Sequence, residues 1–343
     1  MVRSSGKIRK ALVLGAGGFI GGHMAKRLKS EGYYVRAADL KAPEYSATAA
    51  DDFIITDLRD LNAVREIIAP MDGEGFDEIY QFAADMGGAG YIFTGDNDAD
   101  IMHNSGMINM NLLRALREGA VPSRSRVFYA SSACVYPLRN QMDPESPDCR
   151  ESGAYPADPD SEYGWEKLFS ERLYFTYARN HGIPVYVARY HNVFGPEGAW
   201  NDGREKVPAA VCRKIARLPS EGGSIEVWGD GEQTRSFLYI DDCIEATRRF
   251  IQSDFHGPMN IGSEEMVSIN QLVDLVADIA DKRVEKDYQL RGPQGVRGRN
   301  SNNDLIREKL DWSPTISLRR GLESTYQWIH ARARQDAAAP GGV

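Results

Sequence analysis

The sequence predicts an α/β fold, a Rossmann-like doubly wound parallel sheet with a smaller mixed α/β substrate lobe. Three observations carry that expectation. Apolar runs of strand length alternate with helix-length stretches as far as Asn192, the rhythm of βαβ units. A glycine-rich turn, Gly15-Ala16-Gly17-Gly18-Phe19-Ile20-Gly21, follows the first apolar run and opens the first helical one. Beyond Asn192 the rhythm breaks, and Gly, Pro and Trp punctuate Gly195–Pro208.

Taken in order, Ile8–Leu14 reads as a buried strand and Phe19–Glu31 as a helix. Tyr34–Ala38 and Phe53–Thr56 read as strands, Leu61–Ala69 as a helix and Glu78–Phe82 as a strand. A long helix over Ala99–Glu118 leads to a strand at Arg126–Ala130. A loop rich in Pro, Asp and Glu covers Pro137–Asp160, before a helix at Ser161–Asn180 and a strand at Val185–Arg189. Basic residues gather around Arg213–Arg217. Strands at Ile225–Trp228 and Ser236–Ile240 and helices at Asp242–Gln252 and Ile269–Ile279 complete a mixed region. The expected division is a nucleotide lobe of residues 1–192 plus 236–262, a substrate lobe of 193–235 plus 263–334, and a flexible tail over 335–343.

Composition narrows the function classes. A chain of 343 residues, 42% hydrophobic and 26% charged, can bury a large core and is an ordinary soluble globular protein. A net charge of −8 argues against a general nucleic-acid or membrane-surface role. No stretch approaches the ~18 uninterrupted apolar residues of a membrane span. Arg3, Lys7, Arg9 and Lys10 precede an apolar run, but that run meets Gly15 too soon to be an export core. Cys134, Cys149, Cys212 and Cys243 form no C-x-x-C pair, and the histidines no H-x-H or H-x-x-x-H spacing. Neither a disulfide framework nor a metal site is supported, and a reducing cytoplasm is expected.

The glycine-rich turn points to a dinucleotide. Gly15, Gly18 and Gly21 allow a tight turn, close backbone approach and helix–strand packing, so a pyrophosphate can sit on the N–H groups opening the helix at Phe19 and Ile20. Asp39 closes the second strand, 18 residues after Gly21. A carboxylate there accepts bonds from the adenosine ribose and repels a 2′-phosphate, which favours NAD over NADP. Asp57, after the third strand, is placed to touch the adenine edge.

A second constellation is chemical. Tyr163-Gly164-Trp165-Glu166-Lys167 puts a tyrosine and a lysine on one helical face, downstream of the strand-end serines Ser131 and Ser132. A tyrosine with a free pKa of ~10 is a poor base at neutral pH. Lys167 and a positive nicotinamide favour tyrosinate, which takes a hydroxyl proton while Ser132 holds the same oxygen. Two residues beyond Ser132 lies Cys134, a thiol that a plain dehydrogenase does not need; read alone, it is as readily a buried core cysteine.

The Gly15–Gly21 turn with Ser132, Tyr163 and Lys167 resembles the extended short-chain dehydrogenase/reductases. Six further blocks cover nearly the whole chain: Phe82–Gly88, Ser131–Cys134, Gly203–Lys206, Trp228–Gly231, Gln233–Phe237 and Gly295–Ser301. They are similar to the GDP-mannose 3,5-epimerase family. That resemblance implies tightly held NAD and GDP-mannose as substrate, with GDP-L-galactose and, from C5 inversion alone, GDP-L-gulose as products. It implies that Tyr163 serves oxidation at C4, and that Cys134 and Lys206 exchange protons at C3 and C5 from opposite faces. It implies substrate contacts from Gly87, Ser132, Ala133, Cys134, Asn192, Glu205, Lys206, Val207, Gln233 and Thr234, with Lys214, Arg235 and Arg299 on the diphosphate. A homodimer is implied too, paired through the helices matching Ala99–Glu118 and that of Tyr163. Ala89, Tyr91 and Val207 depart from the family pattern and bear on pocket shape.

Two rivals stay open on the sequence. One is another nucleotide-sugar 4-epimerase or 4,6-dehydratase, although dehydratases place an Asp-Glu pair where this chain has Ala133-Cys134. The other is a non-catalytic NAD-sensing module, which would not need Ser132, Tyr163 and Lys167 together.

Overall fold

The computed structural model describes residues 7–71, 73–119, 125–291 and 295–338. The first half alternates strand and helix: β1 (Lys10–Leu14), α1 (Phe19–Ser30), β2 (Tyr34–Asp39), β3 (Asp52–Ile55), α2 (Leu61–Ile68), β4 (Glu78–Gln81), α3 (Ala89–Ile92), α4 (Asp98–Glu118), β5 (Arg126–Ser132), α5 (Glu162–His181) and β6 (Val185–Tyr190). The second half holds β7 (Val193–Phe194), α6 (Val207–Ala216), β8 (Gly223–Trp228), β9 (Thr234–Ser236), β10 (Leu238–Tyr239), α7 (Ile240–Gln252), β11 (Met259–Ile261), β12 (Met266–Ser268), α8 (Ile269–Ala280), β13 (Val284–Gln289), β14 (Gly298–Arg299), α9 (Asp304–Leu310) and α10 (Leu318–Ala338).

Seven strands make one parallel sheet in the order β11-β6-β5-β4-β1-β2-β3. β1 beyond Lys10, and β6 apart from Arg189, which pairs with Glu171, are apolar and buried on both faces, as a sheet covered by helices on each side requires. One face packs on α1 and α7 through Met24, Leu28, Ile244 and Phe250. The other packs on α2, α4 and α5 through Val64, Leu112, Leu116 and Tyr174. Strand order reverses between β1 and β4, and the crevice beyond their carboxyl ends is where such sheets bind ligands.

A separate core gathers α6, α8 and α10 around β8 through Cys212, Ile215, Val227, Leu272 and Leu322. Beside it lie the parallel pair β13-β8 and the three-stranded sheet β12-β9-β14. β9 and the residue before it carry Arg235 and Gln233 up to the crevice.

Three expectations are corrected. The single strand expected over Ser236–Ile240 is two, because the chain changes partner at Phe237. Asn192, in the left-handed region at φ +41, bonds Ser236 O through its side chain and accepts from Leu238 N, which turns β10 onto β7. Helix α7 begins at Ile240 rather than Asp242, with Asp241 and Asp242 in its first turn, where negative charge is favoured. The expected flexible tail from Gln335 is helical to Ala338, because α10 buries Leu322, Tyr326 and Ile329 and meets no helix breaker before Pro340; residues 339–343 lie outside the described residues. Among the described residues no helix is long and apolar enough to cross a membrane.

Candidate active site

One cavity of about 1060 Å³ runs from the glycine turn, past the carboxyl ends of β1, β4, β5 and β6, to the wall formed by α6 and β8. That exceeds the ~300–1,000 Å³ of ordinary small-molecule sites. Every residue expected to bind or react lines it, with one exception. Thr234 does not. Its hydroxyl donates to Pro144 O, away from the cavity, because side chains alternate along β9 and Arg235 takes the inward position.

At the cofactor end the backbone itself is the wall. Gly15 has φ +84, and a Cβ there would fall 2.6 Å from Ala83 N; one on Gly21 would fall 2.2 Å from Gly15 O. Gly17, which the sequence reading passed over, is as constrained: a Cβ would lie 2.1 Å from Lys41 O and 2.9 Å from the Asp39 carboxyl carbon. Its N–H donates to Asp39 Oδ2 at 2.9 Å. Gly18 caps α1 without a side chain, leaving the first-turn N–H groups facing the cavity. Burial pushes the Asp39 carboxyl up, against the pull of the Lys41, Gly17 and Leu40 N–H groups. Asp57 sits at the exposed rim, gripped by Arg59.

At the chemical end, β5 delivers Ser132, whose hydroxyl accepts from Cys134 N at 3.2 Å and starts a 3-10 turn over Ala133–Val135. Ser161 caps α5 by accepting from Gly164 N, which sets Tyr163 in the first turn. Helix and turn touch at Gly164, where a Cβ would lie 2.2 Å from Cys134 O. Only that bare backbone brings Tyr163 and Cys134 to one wall. Burial pushes the Tyr163 phenol well up, and Cys134 and Glu166 push the same way, while Ser132 and Arg299 oppose. Lys167 donates to Ala130 O and lies 5.6 Å from the Tyr163 ring centre; burial pushes its ammonium pKa down. Desolvation is the largest influence on both groups.

Cys134 is 7% exposed. Arg299 Nη1 donates to its sulfur at 3.1 Å, Nη2 to Asp160 at 2.5 Å and Nε to Gln141 at 2.5 Å. Expected on a diphosphate, Arg299 is instead committed to the thiol and its carboxylate partner. Burial opposes its charge, and Cys134 and Asp160 outweigh that, raising its pKa. Arg235 donates to Thr234 O and Val296 O; burial first, then the charge of Arg299, pushes it down to about 9. An anion beside it would relieve that strain.

Lys206 caps α6 and donates to Gly87 O at 3.1 Å; burial lowers its pKa. Gly88 permits this approach, since a Cβ would lie 2.3 Å from Glu205 O. Glu205 pairs with Arg213 at 2.5 Å. Lys214 also departs from its expected place: its ammonium donates to Glu226 O on β8. Gln233 is held by its bond to Trp228 O. Gly17, Gly88, Gly164, Gln141, Asp160 and Arg213 were missed. Gln141 and Asp160 lie within the loop Pro137–Asp160, where sequence gives no periodic signal.

Residues 11–262 match the model of the NAD dependent epimerase/dehydratase family. The chain is 44% identical over 331 residues to a GDP-mannose 3,5-epimerase of Arabidopsis thaliana, spanning 96% of this chain and 84% of that one. It is 44% identical over 326 residues to GDP-mannose 3,5-epimerase 1 of Oryza sativa subsp. japonica, spanning 94% and 82%. Among solved structures it resembles UDP-glucose 4-epimerase of Thermotoga maritima, with TM-score 0.80 and 23% identity over 94% of this chain and 99% of that one, a likeness of fold. It also resembles UDP-glucuronic acid 4-epimerase of Bacillus cereus in complex with UDP-glucuronic acid and NAD, with TM-score 0.75 and 26% identity over 94% and 99%.

Proposed function

The chain belongs to the NAD dependent epimerase/dehydratase family, and on that footing we propose that it epimerises GDP-α-D-mannose at C3 and C5 to GDP-L-galactose, and at C5 alone to GDP-L-gulose. The observation that carries the reading is the meeting of Cys134 and Lys206 with Ser132, Tyr163 and Lys167 on one cavity, in a chain 44% identical to such epimerases.

The cofactor is NAD, and the residues present fit it. Gly15, Gly17 and Gly21 leave a bare backbone cradle at the opening of α1, and Asp39 behind it would accept from the adenosine ribose. When bound there, NAD supplies the oxidising equivalent that converts C4 of the hexose to a ketone and returns it at the end. Ser132 holds the C4 oxygen and Tyr163 moves its proton. Lys167, anchored on Ala130 O, sets the Tyr163 environment. A C4 ketone makes the C3 and C5 protons acidic, because the carbanion is delocalised as an enolate. Cys134 takes a proton from one face and Lys206 delivers one to the other. Burial moves Lys206 toward neutrality, where a group can both give and take a proton. Arg235 and Gln233 hold the diphosphate side of the substrate, with Asn192, Glu205 and the Gly87 turn around the sugar.

The dimer is part of the same reading. α4 exposes Met102 and Met110, and α5 exposes Trp165 and Phe169, side chains of 39–50% exposure that a second copy would cover. The division into lobes of 1–192 plus 236–262 and 193–235 plus 263–334, and a cytoplasmic setting with four free cysteines, belong to it as well.

The test is incubation of the protein with GDP-mannose in D₂O, followed by product analysis. Deuterium is expected at C3 and C5 of the recovered hexose. Turnover at C4 with no label at either carbon would reject the 3,5-epimerase reading.

A further inference from the structure

The far end of the cavity, opposite the glycine cradle, is built from β8 and α6. β8 alternates: Ile225 and Val227 are buried, while Glu226 and Trp228 face outward and line the cavity. The Trp228 indole N–H donates to Glu226 Oε1, which fixes the carboxylate and leaves its second oxygen available. Lys214 Nζ donates to Glu226 O at 2.7 Å, so an ammonium stands beside that carboxylate on the same wall. The indole reaches across to the other side of the cavity, its ring edge 3.6 Å from where a Cβ on Gly90 would be. An aromatic face, an acceptor and a donor thus meet in one place that none of the proposed chemical steps uses.

We propose that Glu226 and Lys214 read the guanine edge of the substrate, with Trp228 as the ring on which the base lies. The inference rests on the GDP-mannose reading and names how the nucleotide is chosen. Guanine presents an acceptor, O6, next to two donors, N1–H and the N2 amine. Lys214 suits the first and the Glu226 carboxylate the other two. Adenine reverses the pattern, setting an amine against the ammonium and an unprotonated ring nitrogen against the carboxylate. Uracil matches at O4 and N3–H but turns O2 toward Glu226, where two acceptors repel. Inosine lacks only the N2 amine and so isolates one bond to the carboxylate. A site that bonds a polar group rejects analogues lacking it more strongly than an apolar pocket can.

Calorimetric titration of the NAD-loaded protein with GDP, IDP and UDP tests this without the sugar. The wild type should bind GDP about tenfold or more tighter than IDP or UDP. Glu226→Ala should weaken GDP by about 10–100-fold, leave UDP nearly unchanged and bring the GDP-to-IDP ratio toward one. Glu226→Gln keeps an acceptor for Trp228 and should lose the same preference. A Glu226→Ala protein that retains the wild-type GDP-to-IDP ratio would overturn the inference, as would a wild type that does not prefer GDP. Turnover of GDP-mannose is scored separately. Glu226-dependent GDP preference without epimerisation would sink the functional reading and leave the guanine site standing.

Discussion

Arg299 donates a hydrogen bond to the sulfur of Cys134 at 3.1 Å while its second nitrogen is paired with Asp160 at 2.5 Å. Both charged partners are buried, with side-chain exposures of 7% and 3%. Removing one member of such a pair strands the other, at a cost of about 3–5 kcal/mol. Arg299→Met should therefore lower stability by roughly that amount, and Arg299→Met with Asp160→Asn should recover much of it. If Arg299 also orients the thiol, the double variant will stay deficient in deuterium exchange at C5. Urea unfolding and D₂O labelling of both variants check the two halves, and a double variant with wild-type exchange would assign Arg299 to stability alone.

Gly164 sets the distance between the Tyr163 helix and the Cys134 turn. A methyl there would lie 2.2 Å from Cys134 O and 2.8 Å from Pro159 Cβ, so Gly164→Ala must push α5 outward. Overpacking of this kind costs about 1–3 kcal/mol. The larger effect is expected on rate, since an ångström of misplacement can cost about 100-fold. The glycine cradle is remote from this contact and NAD affinity should hold. Thermal denaturation, NAD titration and turnover on one preparation separate these outcomes; unchanged turnover would show that the close approach is dispensable.

The separation of the chemical roles is testable by substitution. Cys134→Ala should leave the fold and NAD binding intact and abolish exchange at C5, whereas Tyr163→Phe should abolish exchange at both carbons because no ketone forms. Mass spectrometry of the hexose after D₂O incubation reads both. Wild-type epimerisation by Cys134→Ala would remove the thiol from its proposed role.

The features legible in the sequence are those whose partners are close along the chain. Gly15 to Gly21 and Tyr163 to Lys167 act within one or two helical turns, so spacing alone exposes them. What stayed hidden depends on segments far apart. Gly17 is needed because Lys41 passes over it, Gly88 because Glu205 does, and Gly164 because of Cys134. Arg299 reaches Cys134 across 165 residues of chain, through the pairing of β14 with β9. A basic residue in a matching block looks like a phosphate ligand until that pairing is known. Thr234 failed for a simpler reason: neighbours on a strand face opposite ways, so Thr234 and Arg235 cannot both enter the cavity.

His191 is fully buried, bonds Asn260 Oδ1 at 3.1 Å, and burial pushes its pKa down to about 3. The folded protein thus keeps the ring neutral where the unfolded chain, near 6.5, takes up a proton. The unfolded state binds more protons in that window, so stability is lost as pH falls from about 6.5 toward 3, by up to ~1.4 kcal/mol per pH unit from this group. His191→Gln can keep a donor to Asn260 and removes the titration. Urea midpoints between pH 6.5 and 4 should fall less steeply in the variant than in the wild type; parallel slopes would mean that other groups control the acid limb.

Lys206 gives the same sign on the basic side. Burial lowers its folded pKa below the ordinary lysine value of 10.5, so the unfolded chain again binds more protons between the two values. Stability must then rise with pH through that window, and at neutral pH a buried ammonium is a cost that the bond to Gly87 O only partly offsets. Lys206→Met keeps the length of the side chain and removes the charge. It should raise the melting temperature at pH 7 by about 1–3 °C while abolishing epimerisation, the trade expected where an active group is held in an unfavourable environment. The gain should shrink as pH approaches 10.5, because the wild-type lysine becomes neutral as well. Paired melting curves at pH 7 and pH 10 measure this difference directly, and other titrating groups cancel between the two proteins. A Lys206→Met protein less stable than the wild type at pH 7 would show that the Gly87 bond outweighs desolvation, and that Lys206 is held for structure as much as for proton transfer.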